Sequence, residues 1–120
     1  PWSRNNFFSS FDVGHHSLIC KANKELIGFI VFSVIKNESH LLNVAVIEKW
    51  RKKGAGSLLI ESLIKQSKVL GAKKVFLEVR SKNLNAIKFY EKYNFVKDAI
   101  RANYYPGEYP DDAVLMSLDI

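Results

Sequence analysis

Cysteine is almost missing from the sequence, since Cys20 is the single one among 120 residues. One cysteine excludes an internal disulfide, and a chain without disulfides is typical of a reducing compartment, so we expect a cytoplasmic location. Cys20 lies in an apolar stretch, where a thiol is more often a small core side chain than a nucleophile. Because His15, His16 and His40 have no carboxylate or thiol at ligand spacing, no metal site is predicted.

Long hydrophobic runs are missing as well. The longest, residues 26–35, is interrupted by Gly28 and Ser33 and is shorter than the roughly 18 residues that cross a membrane. The opening Pro1-Trp2-Ser3-Arg4 has no basic start and apolar core of the kind that marks a signal peptide. An initiator Met is also missing, and we therefore expect the sequence to begin inside a longer protein.

The length of 120 residues fits one domain, residues 1–120, and its net charge of +6 is concentrated in one stretch. Eight basic residues against two acidic ones lie between Glu48 and Lys74, so this stretch carries the whole +6. Such a cluster is typical of a nucleic-acid binder, of a site for one polyphosphate ligand, or of a solvated helix face. Nucleic-acid binders interleave aromatic residues with their cations, and only Trp50 does so here, so nucleic acid is the least favoured partner.

Hydrophobic periodicity and turn residues predict the order of the elements. A short helix is predicted over residues 4–10, with Ser3 as its N-cap, followed by a loop over 12–16. Strands are predicted over 17–22, 25–35, 40–47, 75–80, 95–102 and 113–119, and helices over 54–70 and 84–93. The expected fold class is α+β: a mixed, mostly antiparallel sheet with helices on both faces, in which strands 40–47 and 75–80 are adjacent and parallel.

The segment Arg51-Lys52-Lys53-Gly54-Ala55-Gly56 stands between a predicted strand and an amphipathic helix. Two glycines allow a tight turn in which successive N–H groups point at one oxyanion. The helix that follows adds its unpaired N–H groups and the positive end of its dipole, and the three cations neutralise further phosphate charge. The pattern lacks the Gly-Lys-Ser/Thr of a Walker loop and is too short for a dinucleotide fingerprint, so it predicts a phosphate site of another kind.

Glu78 lies in the predicted strand Val75-Phe76-Leu77-Glu78-Val79-Arg80. A carboxylate between apolar neighbours in the middle of a sheet is costly unless something uses or pairs it. Burial there would favour the neutral carboxyl and make Glu78 a stronger general base. The alternative is a structural ion pair with Arg80 or a nearby lysine.

The next helix begins with Asn83-Leu84-Asn85-Ala86 and carries Tyr90 two turns further on. Asn83 is well placed to be the N-cap of this helix. A tyrosine at such a position is usually a core residue, and only its pairing with Glu78 makes Tyr90 a candidate acid. We expect the two side chains to face the same cleft.

Four ordered motifs together resemble the GNAT superfamily of acetyltransferases. They are Asn43-Val44-Ala45-Val46, Arg51-x-x-Gly54-x-Gly56, Leu77-Glu78-Val79-Arg80 and Asn83-x-x-Ala86-x-x-x-Tyr90. The opening Pro1-Trp2-Ser3 and the later Asn103-Tyr104-Tyr105-Pro106 are similar to the RimI branch, which acetylates protein N-termini. The resemblance covers essentially the whole chain and implies acetyl transfer from acetyl-CoA, with no metal.

The resemblance also implies a role for each matching residue. Glu78 matches the general base and Tyr90 the general acid, while Val44, Ala45 and Val46 match the strand that holds the pantetheine arm and the acetyl group. The pyrophosphate loop corresponds to Arg51, Lys52, Lys53, Gly54, Ala55 and Gly56, and Asn83 matches a side chain that contacts the cofactor.

The acceptor implied by the resemblance is a protein N-terminal amine, and for the RimI branch an alanine-starting ribosomal protein. Tyr104, Tyr105 and the acids Asp111 and Asp112 would line a groove for a basic peptide, or else belong to an ordinary hairpin loop. Lysine or a small amine as acceptor, and a non-catalytic acyl-CoA-binding domain, stay open as alternatives.

Two departures from the family pattern stand out. Members usually carry a strand and a helix before the Pro-Trp-Ser segment, and these supply part of the substrate wall, so we expect the sequence to be incomplete at its N-terminus. Asn94 stands where many members have Gly, and it is expected to adopt the left-handed conformation that ends a helix.

Overall fold

Seven strands form one mixed sheet in the computed structural model, which describes residues 5–12, 15–51 and 54–120. The strands are β1 (Asn5–Asp12), β2 (His15–Ala22), β3 (Glu25–Ile35), β4 (Glu38–Val46), β5 (Lys74–Arg80), β6 (Val96–Tyr105) and β7 (Asp111–Asp119). The helices are α1 (Ala55–Val69) and α2 (Leu84–Lys92), and a single 3-10 turn, Glu48–Trp50, follows β4. The order across the sheet is β1-β2-β3-β4-β5-β7-β6.

The helix predicted over residues 4–10 is wrong, because residues 5–12 form β1. This strand pairs antiparallel with β2, from Asn5 opposite Lys21 to Ser10 opposite His16. A helix of seven residues is marginal on its own, whereas the free edge of β2 offers a row of backbone partners. The predicted N-cap Ser3 lies outside the described residues. The loop predicted over 12–16 is wrong at Asp12, which belongs to β1, and at His15 and His16, which belong to β2.

The two-residue β2–β3 turn is confirmed, whereas the β3–β4 turn has two residues instead of the four predicted over 36–39, because β4 begins at Glu38. Asn23 and Lys24 both have positive φ, 49° and 72°, which is the type I′ geometry that matches the twist of the flanking strands. Lys36 begins the next turn with φ of 57°. The conformations of these turn residues therefore set the antiparallel arrangement of β2, β3 and β4.

The parallel pair predicted in the middle of the sheet is confirmed. Glu38, Ser39 and His40 of β4 pair with Lys74, Val75 and Phe76 of β5, and the crossover between the two strands contains α1. The pairing stops there, although β4 continues to Val46 alongside β3. From residue 41 onward β4 therefore has β3 on one side and an open gap on the other.

The two helices end as their sequences predict. Gly71 has φ of 91° and its N–H donates to the Lys68 carbonyl, while Asn94 has φ of 73° and its N–H donates to the Glu91 carbonyl. Both residues adopt the left-handed conformation that stops a helix. Leu70 caps α1 instead of belonging to it, and Tyr93 caps α2.

Side chains from the sheet and both helices share one core cluster. Its fully buried members include Leu18, Ile30 and Phe32 of the sheet and Leu59 and Leu63 of α1. Gly28 lies under α1 where β3 and β4 approach closely, and a Cβ there would be 2.5 Å from the Ala45 carbonyl oxygen. This position therefore excludes any side chain.

The C-terminal strands begin and end differently from the prediction. β6 continues three residues beyond 102 and takes in Tyr104 and Tyr105, which were predicted to start a loop, and β7 begins at Asp111 instead of 113. A register shift between Arg101 and Tyr105, with φ of 52° at Asn103, allows β6 to keep pairing with β7. Such a bulge has no clear signal in a single sequence. In the described part of the chain, neither helix has the length and apolar character needed to cross a membrane.

A buried hydrogen bond between Ser39 and Ser67 ties β4 to α1, with the two hydroxyl oxygens 2.7 Å apart. Ser39→Ala should lower the free energy of unfolding by about 1–3 kcal/mol, because the Ser67 hydroxyl is left buried without this partner. In urea titrations of all four proteins, the double variant Ser39→Ala/Ser67→Ala should lose less than the sum of the two single losses. Additive losses would show that the hydroxyls are not coupled.

Candidate functional site: two cavities along strand β4

A cavity of about 680 Å³ lies where β4 leaves β5, between the start of α1 and one face of α2; we call it the helix cavity. It is lined by Ile30, Val44, Ala45, Val46, Arg51, Gly54, Gly56, Ser57, Ile60, Asn85, Ala86, Phe89, Tyr90 and Lys92. Seven of the residues singled out in the sequence thus meet at one cavity: the cofactor-binding candidates Val44, Ala45, Val46, Arg51, Gly54 and Gly56, and the candidate acid Tyr90.

Gly54 provides the turn into α1. It is the N-cap, with φ of 86°, and the open space around its Cα holds no atom within 4 Å of an added Cβ. The first bond of the helix runs from the Leu58 N–H to the Gly54 carbonyl, so the amides of residues 55–57 have no acceptor within the helix. Ala55 is buried and is not among the residues that line the cavity, while Lys52 and Lys53 lie outside the described residues.

Val46 presents a backbone N–H to the gap beside β4. The Ile47 N–H donates to the Ile27 carbonyl of β3 at 2.7 Å, and successive amides of an extended strand point to opposite sides. The N–H and carbonyl of Val46 therefore point away from β3. The Arg51 Nε donates to this carbonyl at 3.2 Å, which holds the guanidinium at the mouth of the helix cavity.

Two lysines of the basic stretch between residues 48 and 74 are paired with acids from other parts of the chain. The Lys49 Nζ lies 3.1 Å from a carboxylate oxygen of Glu25, and the Lys74 Nζ lies 3.7 Å from a carboxylate oxygen of Asp119. Arg51 is directed to the helix cavity. Part of the positive charge counted in the sequence is thus neutralised by acids that lie elsewhere in the chain.

Tyr90 is buried on α2 and lines the helix cavity. Its ring packs edge-on against Phe89 and Phe95, with ring centroids 5.5 and 5.7 Å away. Burial raises the pKa of the Tyr90 phenol above its ordinary value of 10.0, because the charged form is poorly solvated there. The hydroxyl therefore keeps its proton at neutral and mildly alkaline pH.

A second cavity, of about 610 Å³, opens between β4 and β5, beside the end of β6 and the middle of β7; we call it the sheet cavity. It is lined by His40, Leu41, Leu42, Phe76, Leu77, Glu78, Arg101, Tyr104, Tyr105, Leu115 and Met116. β4 connects the two cavities, because residues 40–42 line the sheet cavity and residues 44–46 line the helix cavity.

Glu78 lines the sheet cavity, but the burial expected for it is wrong. Alternation along β5 buries Val75, Leu77 and Val79 and leaves Glu78 and Arg80 exposed. The alternative of a Glu78–Arg80 pair is not what the described residues form, since the Arg80 guanidinium lies over the Tyr105 ring, 4.3 Å from its centroid. Glu78 and Tyr105 line the same cavity, and the pKa of Tyr105 is raised first by burial and next by the negative charge of Glu78.

The common cleft expected for Glu78 and Tyr90 is also wrong, because the two side chains line different cavities. Tyr90 packs in the core cluster that holds Leu77 and Val79, whereas Glu78 projects from the opposite face of β5. The physical reason is that successive side chains of a strand point to opposite faces of the sheet, so Glu78 cannot share a face with Leu77 and Val79.

Tyr104 and Tyr105 line the sheet cavity together with Glu78. Their rings are perpendicular with centroids 5.2 Å apart, and the Arg101 guanidinium lies over Tyr104 at 4.9 Å. Cations stacked on both rings restrict their movement. The two tyrosines are thus held as one wall of the cavity.

The acids Asp111 and Asp112 hold the fold together instead of lining the groove expected for them. The buried Asp111 accepts bonds from the Ser81 hydroxyl at 2.6 Å and the Lys82 N–H at 3.2 Å. These bonds, the first above all, lower its pKa from the ordinary 3.8. Asp112 accepts from the Asn103 N–H at 2.8 Å, at the irregular end of β6.

Asn83 is the N-cap of α2, and its side-chain oxygen accepts from the Ala86 N–H at 3.2 Å. It does not line the helix cavity, whereas Asn85, Ala86, Phe89 and Tyr90 do. These four residues recur at the spacing of one helix face, so helical periodicity alone could have indicated Asn85 and Phe89. No sequence pattern indicated His40 and Arg101 as site residues, because they reach the cavity of Glu78 only through the pairing of strands that are far apart in the sequence. In the described ranges, no three His, Cys, Asp or Glu residues lie together as a metal-binding group.

Comparisons with known proteins identify the family. The model of the acetyltransferase (GNAT) family matches residues 1–95, and this chain belongs to that family.

Two relatives resemble the chain over most of its length. The [ribosomal protein bS18]-alanine N-acetyltransferase of Salmonella typhimurium is 35% identical over 121 aligned residues, which span 100% of this chain and 82% of the relative. The crystal structure of the ribosomal-protein-S18-alanine N-acetyltransferase from Escherichia coli superposes with a TM-score of 0.86 at 32% identity, over 92% of this chain and 72% of that one.

A third structure, of an acetyltransferase from Bacillus anthracis in complex with acetyl coenzyme A, has a TM-score of 0.82 at 26% identity. The match covers 91% of this chain and 64% of that chain. The resemblance to the GNAT superfamily and its fold class is confirmed.

Proposed function

We propose that this protein transfers the acetyl group of acetyl-CoA to the N-terminal amine of a protein, with an alanine-starting ribosomal protein as the preferred acceptor. The observation that carries the proposal is the separation of β4 from β5 after residue 40. It gives β4 a free edge with the Val46 N–H, directly beside the open amides at the start of α1.

The helix cavity supplies what a CoA phosphate requires. Amides of residues 55–57, the positive end of the α1 dipole and the Arg51 guanidinium converge there, and the bare Gly54 leaves room for a close approach. Val44, Ala45 and Val46 offer an unpaired strand edge to the pantetheine arm, whose amides can bond to it as an added strand would. The cofactor supplies a thioester, which makes the acetyl group transferable.

The chain's own residues would then move two protons. An α-amine has a pKa near 7.7–8.0, so only about a tenth to a fifth is neutral at pH 7. Glu78, directly or through water, would accept the proton of the incoming amine, while the Val46 N–H stabilises the negative charge that develops on the thioester oxygen. Tyr90, kept protonated by its burial, would donate to the departing thiolate.

The acceptor is inferred from the relatives and from the sheet cavity. The Salmonella and Escherichia coli relatives bear the name of ribosomal-protein-alanine acetyltransferases. The rigid Tyr104 and Tyr105 wall beside Glu78 suits a short extended peptide whose amine reaches the carboxylate. Since Asp111 and Asp112 are occupied within the fold, the attraction for a basic peptide would have to come from Glu78 itself. A ribosomal protein acceptor agrees with the cytoplasmic location expected from the cysteine content.

Gly54→Val should weaken CoA binding tenfold or more, on the order of 1.4 kcal/mol. The reason is that a β-branched residue strains the left-handed turn that aims the amides of α1. Gly71→Val is the matched control, because Gly71 has nearly the same φ, 91°, with equally open surroundings at the other end of α1. Calorimetry should show weaker binding for the first variant only, and equal affinities for both would exclude this loop as the phosphate site.

Glu78→Gln should reduce acetylation of an alanine-starting peptide roughly 10²–10⁴-fold near neutral pH, because the basic carboxylate is lost. Part of the rate should return at alkaline pH, where the amine loses its proton unaided. Mass spectrometry of peptides starting with alanine, and of peptides with only a lysine amine, would measure rate and acceptor together. The control is Glu61→Gln, an exposed glutamate of α1 outside both cavities. Full activity of Glu78→Gln at every pH would refute the assignment of Glu78 as the general base. A preference for the lysine amine would refute the N-terminal amine as the acceptor.

Tyr90→Phe should lower kcat and leave the dissociation constant of CoA nearly unchanged, because a proton donor to the leaving thiolate acts mainly in the transition state. Burial raises the pKa of Tyr90, so the wild-type hydroxyl stays protonated until the pH has risen above 10, and no loss of kcat from its ionisation is expected below that. Tyr93→Phe, on the turn after α2, should leave kcat unchanged. Steady-state kinetics at saturating acetyl-CoA would separate the two variants, and equal kcat values for both would remove Tyr90 from the mechanism.

A further inference from the structure

We propose that Glu25, at the start of β3, is a positioning residue for the phosphate-binding loop of the helix cavity. This inference rests on the function proposed above. Glu25 is 26 residues before Arg51 and lines neither cavity.

The Glu25 carboxylate binds side chains of the 3-10 turn that precedes the loop. Both of its oxygens lie within bonding distance of the Lys49 Nζ, at 3.2 and 3.1 Å, and one of them accepts from the Trp50 Nε1 at 3.3 Å. Lys49 and Trp50 are the last two residues of the turn and directly precede Arg51. The Trp50 ring also packs against the core cluster, so the turn is held from its polar and its apolar side.

Backbone bonds alone leave this turn weakly attached to the sheet. Within it, the Trp50 N–H donates to the Ile47 carbonyl and the Arg51 N–H to the Glu48 carbonyl. Its connection to β3 runs through the Ile47 N–H and Ile27, at the point where β4 ends. Glu25 adds a side-chain connection to β3, which helps to fix the direction in which the turn leads to Arg51.

Glu25 also decides which cation serves the phosphates. The hydrogen bonds from Lys49 and Trp50 lower the pKa of Glu25, so the carboxylate stays ionised at neutral pH and retains Lys49. The Lys49 Nζ lies at the same time 5.6 Å from the centroid of the Trp50 ring. Arg51 is therefore the first cation of the stretch that is directed to the helix cavity.

A turn and an Arg51 side chain that are positioned before the ligand arrives lose less entropy on binding, and this predicts where the effect of Glu25 will be found. Exposed ion pairs contribute little to global stability, so removal of Glu25 should alter CoA affinity more than the melting temperature. Glu25→Ala should raise the dissociation constant of CoA about threefold to tenfold, in the range of one ordinary hydrogen bond. kcat at saturating acetyl-CoA should not change.

The test compares two acetyl donors, acetyl-CoA and S-acetylpantetheine, which lacks the phosphates. Glu25→Ala should raise the KM for acetyl-CoA and leave that for S-acetylpantetheine unchanged, because only the first uses the loop. The exchanged pair Glu25→Lys/Lys49→Glu should recover part of the affinity, and the control Glu61→Ala should lose none. Glu25→Gln keeps one acceptor oxygen, so its KM for acetyl-CoA should lie between those of the wild type and Glu25→Ala. This variant replaces Glu25→Ala in the test if the alanine variant folds poorly.

Each contrary outcome has a distinct meaning. Equal losses with both donors would assign Glu25 a general structural role and overturn the inference. Unchanged affinity of Glu25→Ala and Glu25→Gln, while the wild type binds CoA, would overturn it and leave the proposed function intact. No binding of CoA by the wild-type protein would refute the proposed function itself.

Discussion

The early end of the β4–β5 pairing is the constraint on which the rest of the site depends. Three residue pairs hold the two strands parallel, and beyond His40 and Phe76 the strands separate. An unpaired strand edge inside a sheet is costly unless a ligand or another chain satisfies it. The unpaired edge of β4 lies beside the start of α1. The free edge of the strand and the free amides of the helix therefore face the same cavity.

Several elements keep this opening in shape. β3 supports the separated part of β4 from behind, and Gly28 allows the close approach that a Cβ would prevent. The Ser39–Ser67 bond anchors β4 to α1 just before the strands separate, and Arg51 covers the Val46 carbonyl just after. Rigid backbone around the gap means that its N–H groups need little rearrangement to receive a polar ligand.

Some charged side chains stabilise the fold and others line the cavities. Which of them do so depends on contacts between residues that are far apart in the sequence. Asp111 accepts hydrogen bonds from residues 81 and 82, and Glu25 retains Lys49, so this acid and this lysine are engaged within the fold. Among the described residues, Arg51 and Lys92 line one cavity, and Glu78 and Arg101 line the other. β4 runs between these cavities, which places its backbone where a donor in one and an acceptor in the other would meet.

The sequence by itself determined the elements whose signals are local: the hairpins with their left-handed turns, both helices with Gly71 and Asn94 at their ends, and the glycine turn before α1. Ordered motifs were also enough to indicate the family. Only the tertiary structure decided that residues 5–12 pair with β2 instead of forming a helix, that Glu78 is exposed, and that Glu78 and Tyr90 line different cavities. Burial and pairing depend on which strand lies beside which and on which face the helices cover, and no local pattern of residues carries that information.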